Sequence, residues 1–305
     1  MSLFTKMFGK KETPGLLPQE KNSRVIKAYQ IVHDDITREQ RDPGFEPLEN
    51  SNSTEPDWYE YWPIRNYLHT MPLDESTLYG FVSPRFKEKT GLSADKVRRF
   101  IQSSEDADVY IFSPFPLHGT SFLNVVEHMD FFFRGFMEHG GNFFRQFDQT
   151  LDVRNMVNNS SNTVFSNFFF AKPVFWREWL RICDQLFEET KDARHPLNSK
   201  CSYAKDNGDL KILPVKVFVV ECVASYVLAT SKRFSSISYP FQSMPSSDAH
   251  SSLAHENARL DDLKRQWEKT RQPQILRQYR LEQNRVIGLA WPGQEPPDFD
   301  LPQAL

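Results

Sequence analysis

Between Arg24 and Phe241 the chain alternates short β-rich runs with amphipathic helical segments, and this alternation constrains its fold more than any single motif. Arg24–Val32 (RVIKAYQIV), Leu78–Ser83 (LYGFVS), Asp108–Phe112 (DVYIF) and Thr163–Ala171 (TVFSNFFFA) read as strands, with Arg233–Phe241 as a last one. The intervening segments carry helical signals. Residues 58–70 tolerate Pro63 only in a first turn, and Ser93 caps a helix over 92–103 with Leu92 and Val97 placed as a hydrophobic staple. Residues 121–139 form an amphipathic helix ended by Gly140-Gly141. Pro173 opens a further helix, VFWREWLRICDQLFEET. Residues 215–230 are apolar enough to lie between layers. Such alternation predicts an α/β sheet with helices on its faces. The expected division is an amphipathic segment and linker over 1–23, an α/β domain over 24–245, and a charged helical appendage, broken at Pro273, with a Pro-rich tail over 246–305.

Composition narrows the function classes. The formal net charge of −3 is spread over interspersed acids and bases, so there is no basic face to argue for nucleic acid. The 26 phenylalanines imply a thick aromatic core. Cys183, Cys201 and Cys222 are widely spaced and form no C-x-x-C pair, which fits reduced thiols. No run reaches the roughly 20 apolar residues of a membrane span, and no signal-peptide pattern opens the chain. A cytoplasmic protein is expected. Leu3, Phe4, Met7 and Phe8 lie at helical spacing among Lys6, Lys10 and Lys11, so Met1–Lys11 suits peripheral contact with the inner face of a membrane.

Signatures of dinucleotide-binding, P-loop, zincin and esterase chemistry are absent. Asp106-Ala107-Asp108 is a D-x-D that can share a divalent cation. It precedes its strand, however, whereas α/β ligand sites lie beyond strand carboxyl ends. Solvated acids are therefore the first reading of this pair, with a metal site the weaker alternative. Strand ends supply better candidates. His33, Asp34 and Asp35 follow the first strand; Ser83, Arg85 and Lys89 follow the second. The cations suit an anionic leaving group, and Ser113-Pro114-Phe115-Pro116 suits a pocket wall. Trp58 and Tyr59 beside Arg65 offer stacking faces with directed polar groups. Asn167 within an aromatic strand needs a hydrogen-bond partner, and Glu221 in an apolar helix is a candidate functional carboxylate. Asn124, Glu127 and His128 share one helix face, read first as solvated.

Taken in order, LYGFVSPRF (78–86), NFFFAKPVFWREW (167–179) and VFVVECVASYVL (217–228) resemble bacterial glycosyltransferase-like proteins of capsule and lipopolysaccharide loci. Those proteins have the GT-A, nucleotide-diphospho-sugar transferase fold. In that group a strand of the form YxGxxHYRR ends at active-site residues, an xNxFxxxxxxFxxxW segment follows, and a helix containing a glutamate comes later. Ser83-Pro84-Arg85 departs from the His-Tyr-Arg pattern, so only Arg85 carries over, and no D-x-D follows a strand. The resemblance implies a GT-A-like central mixed sheet flanked by helices. It also implies sugar transfer from a nucleotide-sugar donor to a glycan or lipid-linked acceptor in surface polysaccharide synthesis, either without a metal or with Mn or Mg accompanying the donor. His33, Asp34, Asp35, Trp58 and Tyr59 would then contact the nucleoside, Arg85 and Lys89 the diphosphate, and Glu221 or Glu127 would act on the acceptor. Arg65, Ser83, Asn124 and Asn167 complete the expected substrate-binding set. The alternative is a non-catalytic binding or scaffold protein that retains this fold and uses its C-terminal helix and tail to hold partners.

Overall fold

The structure, a computed structural model, describes residues 24–204, 210–246 and 248–294. Met1–Lys11 and most of the Pro-rich tail lie outside the described residues. The first strand, β1 (Ile26–Val32), gives way to a short helix α1 (Asp35–Glu39), and the chain returns as β2 (Glu46–Glu49). Next come α2 (Tyr61–Thr70), β3 (Leu78–Val82), α3 (Phe86–Thr90), α4 (Ala94–Ser103) and β4 (Val109–Ile111).

In place of the single helix expected over 121–139, the chain forms α5 (Pro116–Ser121), α6 (Val125–Phe132) and α7 (Phe136–Arg145). The breaks have local causes. Asn124 adopts extended backbone, and its Oδ1 accepts from the backbone N–H groups of Val126 and Glu127, starting α6 afresh. Gly135, at φ 92°, separates α6 from α7. Gly140 and Gly141 consequently fall inside α7 rather than ending a helix.

The strand expected over 163–171 shortens to β5 (Phe169–Ala171), and α8 (Pro173–Glu189) follows with proline in its first turn. A hairpin of β6 (Lys200–Ala204) and β7 (Leu210–Pro214), which the sequence pattern does not announce, leads into α9 (Val215–Thr230). After β8 (Ser236–Ser238) come α10 (Asp248–Ser251), α11 (Ala254–Thr270) and α12 (Pro273–Ala290). The last two are separated where expected, just before Pro273.

The six-stranded mixed sheet has the order β2-β1-β3-β5-β4-β8. Every neighbouring pair is parallel except those of β5, which runs antiparallel to both β3 and β4. Side chains alternate between two cores, as a period of two requires. Tyr79, Phe81, Val109, Ile111 and Phe169 face α2, α6, α8 and α9. Leu78, Val82, Tyr110, Phe112, Phe168 and Phe170 face α3 and α4. Covering both faces with helices explains why the strands read as nearly continuous apolar runs. Gly80 breaks the alternation because the Phe170 ring occupies the place of its missing Cβ.

The C-terminal helical part packs on the body rather than standing off it. Leu260, Leu263, Trp267, Tyr279 and Val286 form a third core with Leu117, Leu123 and Val157. No described helix is long and apolar enough to cross a membrane.

Candidate active site

The strand directions bring four segments to one edge of the sheet. β1, β3 and β4 end there at His33, Ser83 and Ser113, and antiparallel β5 begins there after Ser166 and Asn167. The carboxyl edge of parallel strands is where open α/β sheets bind ligands. The Ser83-Pro84 turn is held by Gln30, a buried side chain whose Nε2 donates to the carbonyls of both residues at 3.2 Å. The Ser83 side chain is itself buried.

The turn leads directly into α3, which carries Arg85, Glu88 and Lys89. Arg85 donates from Nε and Nη2 to the two carboxylate oxygens of Glu88, at 2.9 and 2.5 Å. This fork holds the Glu88 carboxyl below its usual range. Lys89 reaches inward, donating to Ser166 Oγ at 2.9 Å and lying over the rings of Phe115 and Phe168.

Ser166 and Asn167 are the unusual backbone of this edge. Both have positive φ, 58° and 52°, although neither is glycine. Left-handed backbone in two successive non-glycine residues costs energy and concentrates at functional sites. Asn167 therefore sits at the mouth of β5 rather than within a strand, and its buried Oδ1 has no hydrogen-bond partner among the described residues. Glu221 of α9 meets the same corner. Its carboxyl accepts from the Ser166 backbone and interacts with the Lys89 charge. Burial nevertheless dominates and raises the Glu221 pKa above the usual carboxylate range.

A cleft opens beside this corner. Arg85, Glu88 and Lys89 line one part; Phe115, His118 and His250 line another. Phe115, at φ 60°, turns the chain from β4 into α5 and so presents His118 to the cleft. His118 and His250 lie only 5.7 Å apart, ring to ring. His250 and Ser166 were not singled out in the sequence. No short-range motif joins them, because they are brought together by the α10 and β5 segments folding onto one edge.

Other expected site residues are engaged structurally elsewhere. Asp34 is the N-cap of α1, its Oδ1 accepting from the Thr37 backbone at 2.8 Å, and those hydrogen bonds lower its pKa. Asp35 lies in the first turn of that helix, near Arg38. The His33 ring lies 3.4 Å from the Asn50 amide. Trp58 is buried against Tyr61 and Phe187, with Lys216 Nζ 4.4 Å above its ring, so it belongs to the core rather than to a nucleoside platform. Tyr59, at φ 47°, ends the short 3-10 turn preceding α2. Arg65 donates to Asp184 at 2.7 Å and stacks on Trp62 and Phe187.

The expected solvated face of Asn124, Glu127 and His128 is buried instead. Asn124 Nδ2 donates to the carbonyls of Val153 and Met156 at 2.9 Å, so it ties a loop to the start of α6. Glu127 Oε1 accepts from Arg280 at 2.7 Å, from Gln283 at 2.6 Å and from the Leu123 backbone at 3.1 Å. Those partners make it a structural ion pair that anchors α12. Asp106 and Asp108 lie at the opposite, amino end of β4. Lys172 bridges them at 2.9 and 3.4 Å, and Asp108 also binds Ser235. A cation in that position is already supplied by the chain itself. Among the described residues no group of three or more His, Cys, Asp or Glu side chains is arranged to hold a metal ion.

Comparison with protein-family models, with curated proteins and with solved structures gave no match.

Proposed function

We propose that this protein is a nucleotide-sugar-dependent glycosyltransferase with a GT-A-like fold, working at the cleft between α3 and α5. One observation carries the reading. The three segments that resemble transferase motifs, 78–86, 167–179 and 217–228, are separated by long stretches of chain. Their polar members Arg85, Asn167 and Glu221, with Lys89 three residues beyond the first segment, nevertheless gather at one carboxyl edge of the sheet. The sheet, parallel but for one internal antiparallel strand, is compatible with the GT-A arrangement.

Within this reading the donor's diphosphate lies against Arg85 and Lys89. The bond between the sugar's anomeric carbon and the diphosphate oxygen breaks, and that electron pair leaves with the diphosphate, whose charge the two cations stabilise. The acceptor hydroxyl oxygen bonds to the anomeric carbon, and its proton passes to Glu221. A carboxylate whose proton affinity is raised by burial suits such a step. Asn167 lies at the same corner, and its unpaired amide oxygen supports a role in holding the acceptor once the site is occupied.

Thermal shift against nucleoside diphosphates and their sugars, followed by turnover with the donor that binds, tests this. A selective rise in melting temperature is expected by mass action. Arg85→Ala is expected to abolish turnover with the melting temperature of the unliganded protein kept within a few degrees, since the Arg85–Glu88 pair is exposed and contributes little stability. A flat response across the panel would favour the non-catalytic alternative, and full activity in Arg85→Ala would remove Arg85 from the assignment.

A further inference from the structure

The cleft wall formed by α5 carries a pair of histidines that the transferase scheme does not use. His118 Nδ1 lies 3.0 Å from His128 Nε2. His128 is enclosed by Phe122, Phe132 and Phe165, and its Nδ1 is buried without a hydrogen-bond partner. The His118 ring packs against Phe132 and Trp291 and otherwise borders the cleft. The residue is half-buried and lines the cleft, and no described residue hydrogen-bonds its second nitrogen, Nε2. Burial pushes the His118 pKa down to about 3 and that of His128 well below the usual histidine range. Both rings are therefore neutral at physiological pH.

A neutral imidazole has one donor and one acceptor nitrogen, and the bond made at one fixes the other. Two arrangements satisfy the 3.0 Å contact. If His118 donated, His128 would bury an unpaired N–H and carry the cost of a lost donor hydrogen bond. If His128 donates, only a lone pair is left unpaired, and His118 carries its proton on Nε2, facing the cleft. The second arrangement is the better satisfied. The cleft then presents three donor groups: the Arg85 guanidinium, itself paired with the Glu88 carboxylate, the Lys89 ammonium and an uncharged N–H. Such a set matches an oxygen-rich anion.

We propose that His118, its proton placed on Nε2 by His128, is a binding residue for a phosphate group in the cleft, completing the donor set of Arg85 and Lys89. The donor set calls for phosphate chemistry by itself; that the phosphate is a sugar donor's diphosphate rests on the transferase reading.

The test uses the full chain labelled with ¹⁵N-histidine and titrated with inorganic pyrophosphate, alongside calorimetry. The expected results are a His118 spectrum of the Nε2–H tautomer, movement of that resonance on titration, and affinity weakened roughly 10-fold or more in His118→Phe, as loss of a hydrogen bond to a charged acceptor gives. His118→Gln, which keeps an amide donor, is expected to recover part of the affinity. His128→Phe is expected to mix the His118 tautomers and weaken binding with them, which marks His128 as a positioning residue. An Nδ1–H tautomer at His118, or equal pyrophosphate affinity in the wild type and His118→Phe, would overturn the proposal. If His118→Phe does not fold, the tautomer and titration shifts of the wild type decide. Donor turnover indifferent to His118 sinks this inference alone. His118-dependent pyrophosphate binding without turnover of any donor supports it and sinks only the transferase reading.

Discussion

Glu221 and Glu127 lie on the packed helices α9 and α6, both in apolar segments, yet their partners differ. Glu127 Oε1 is saturated by Arg280, Gln283 and a backbone N–H. Among the described residues Glu221 interacts with Lys89 and the Ser166 backbone, and burial raises its pKa. Glu221→Gln is accordingly expected to lower kcat by about 100-fold or more, the usual contribution of a general base. The melting temperature should change little. The acid limb of the wild-type kcat/KM profile should lie above the ordinary glutamate range and vanish in this variant. Arg280→Met is expected to cost about 3–5 kcal/mol in denaturant unfolding, because it strands the buried Glu127 carboxylate. Gly80→Ala belongs to the same scale. The added Cβ meets the Phe170 ring across the β3–β5 pair, and a loss of roughly 1–3 kcal/mol is expected from such overpacking. A neutral substitution there would show that Phe170 moves aside without cost. Of these positions, the sequence flagged Glu221 correctly as a polar group in apolar surroundings. It could not separate it from Glu127, because the distinguishing partner, Arg280, lies 153 residues away.

At the scale of elements, the short turns of 113–124 and 163–168 do more to build the site than the regular structure around them. Asn124 spends all its hydrogen-bonding capacity there, accepting twice to start α6 and donating twice to carbonyls of the 153–156 segment. Asn124→Ala removes the cap and the amide donor to two carbonyls, of which Val153 keeps the Met156 backbone N–H, so a loss of about 2–4 kcal/mol is expected, above the ordinary cap alone. A loss below 1 kcal/mol would mean that water replaces the amide, consistent with the lower end of such costs. The helix over 121–139 reads as continuous because its apolar residues keep helical spacing through Phe136. Asn124 and Gly135 interrupt it by side-chain capping and left-handed backbone, which periodicity does not register. Residues 163–168 mislead in the same way. Their β propensity is high, but Ser166 and Asn167 adopt left-handed backbone, with Ser166 held by Lys89 and the Glu221 carboxyl.

For the whole molecule, the seam between the sheet domain and the α11–α12 pair is fastened by buried polar groups as well as by its apolar core. Lys264 is wholly buried and donates to the carbonyls of Gly119 at 2.5 Å and Asn158 at 2.7 Å. Burial outweighs those bonds and the nearby Asp261, and pushes its pKa down from 10.5 to about 7. An unfolded lysine therefore holds a proton that the folded one lacks between pH 7 and about 10.5. Through Lys264, stability is full above that window and is lost as pH falls toward 7. The stability of Lys264→Met relative to wild type is expected to be greatest near pH 7 and to decline toward pH 10, read by denaturant unfolding at each pH. A difference that stays constant with pH would show that Lys264 keeps its charge in the fold.

The sequence alone determined the α/β class, the run of β1, β3 and β4, the limits of α8 and α9, and the break before Pro273. Each of these rests on local periodicity, capping or proline geometry, and such signals are complete within a dozen residues. It also pointed to Arg85, Lys89, Asn167 and Glu221 as groups needing an explanation. Only the tertiary structure decided that Trp58, Arg65, Asn124 and Glu127 are engaged structurally, whereas Arg85, Lys89, Asn167 and Glu221 share an edge with His118. That division depends on which distant partner satisfies each buried polar group. A hydrogen bond between residues 100 or more positions apart, such as Lys264 to Gly119 or Arg280 to Glu127, leaves no trace in the spacing of either segment.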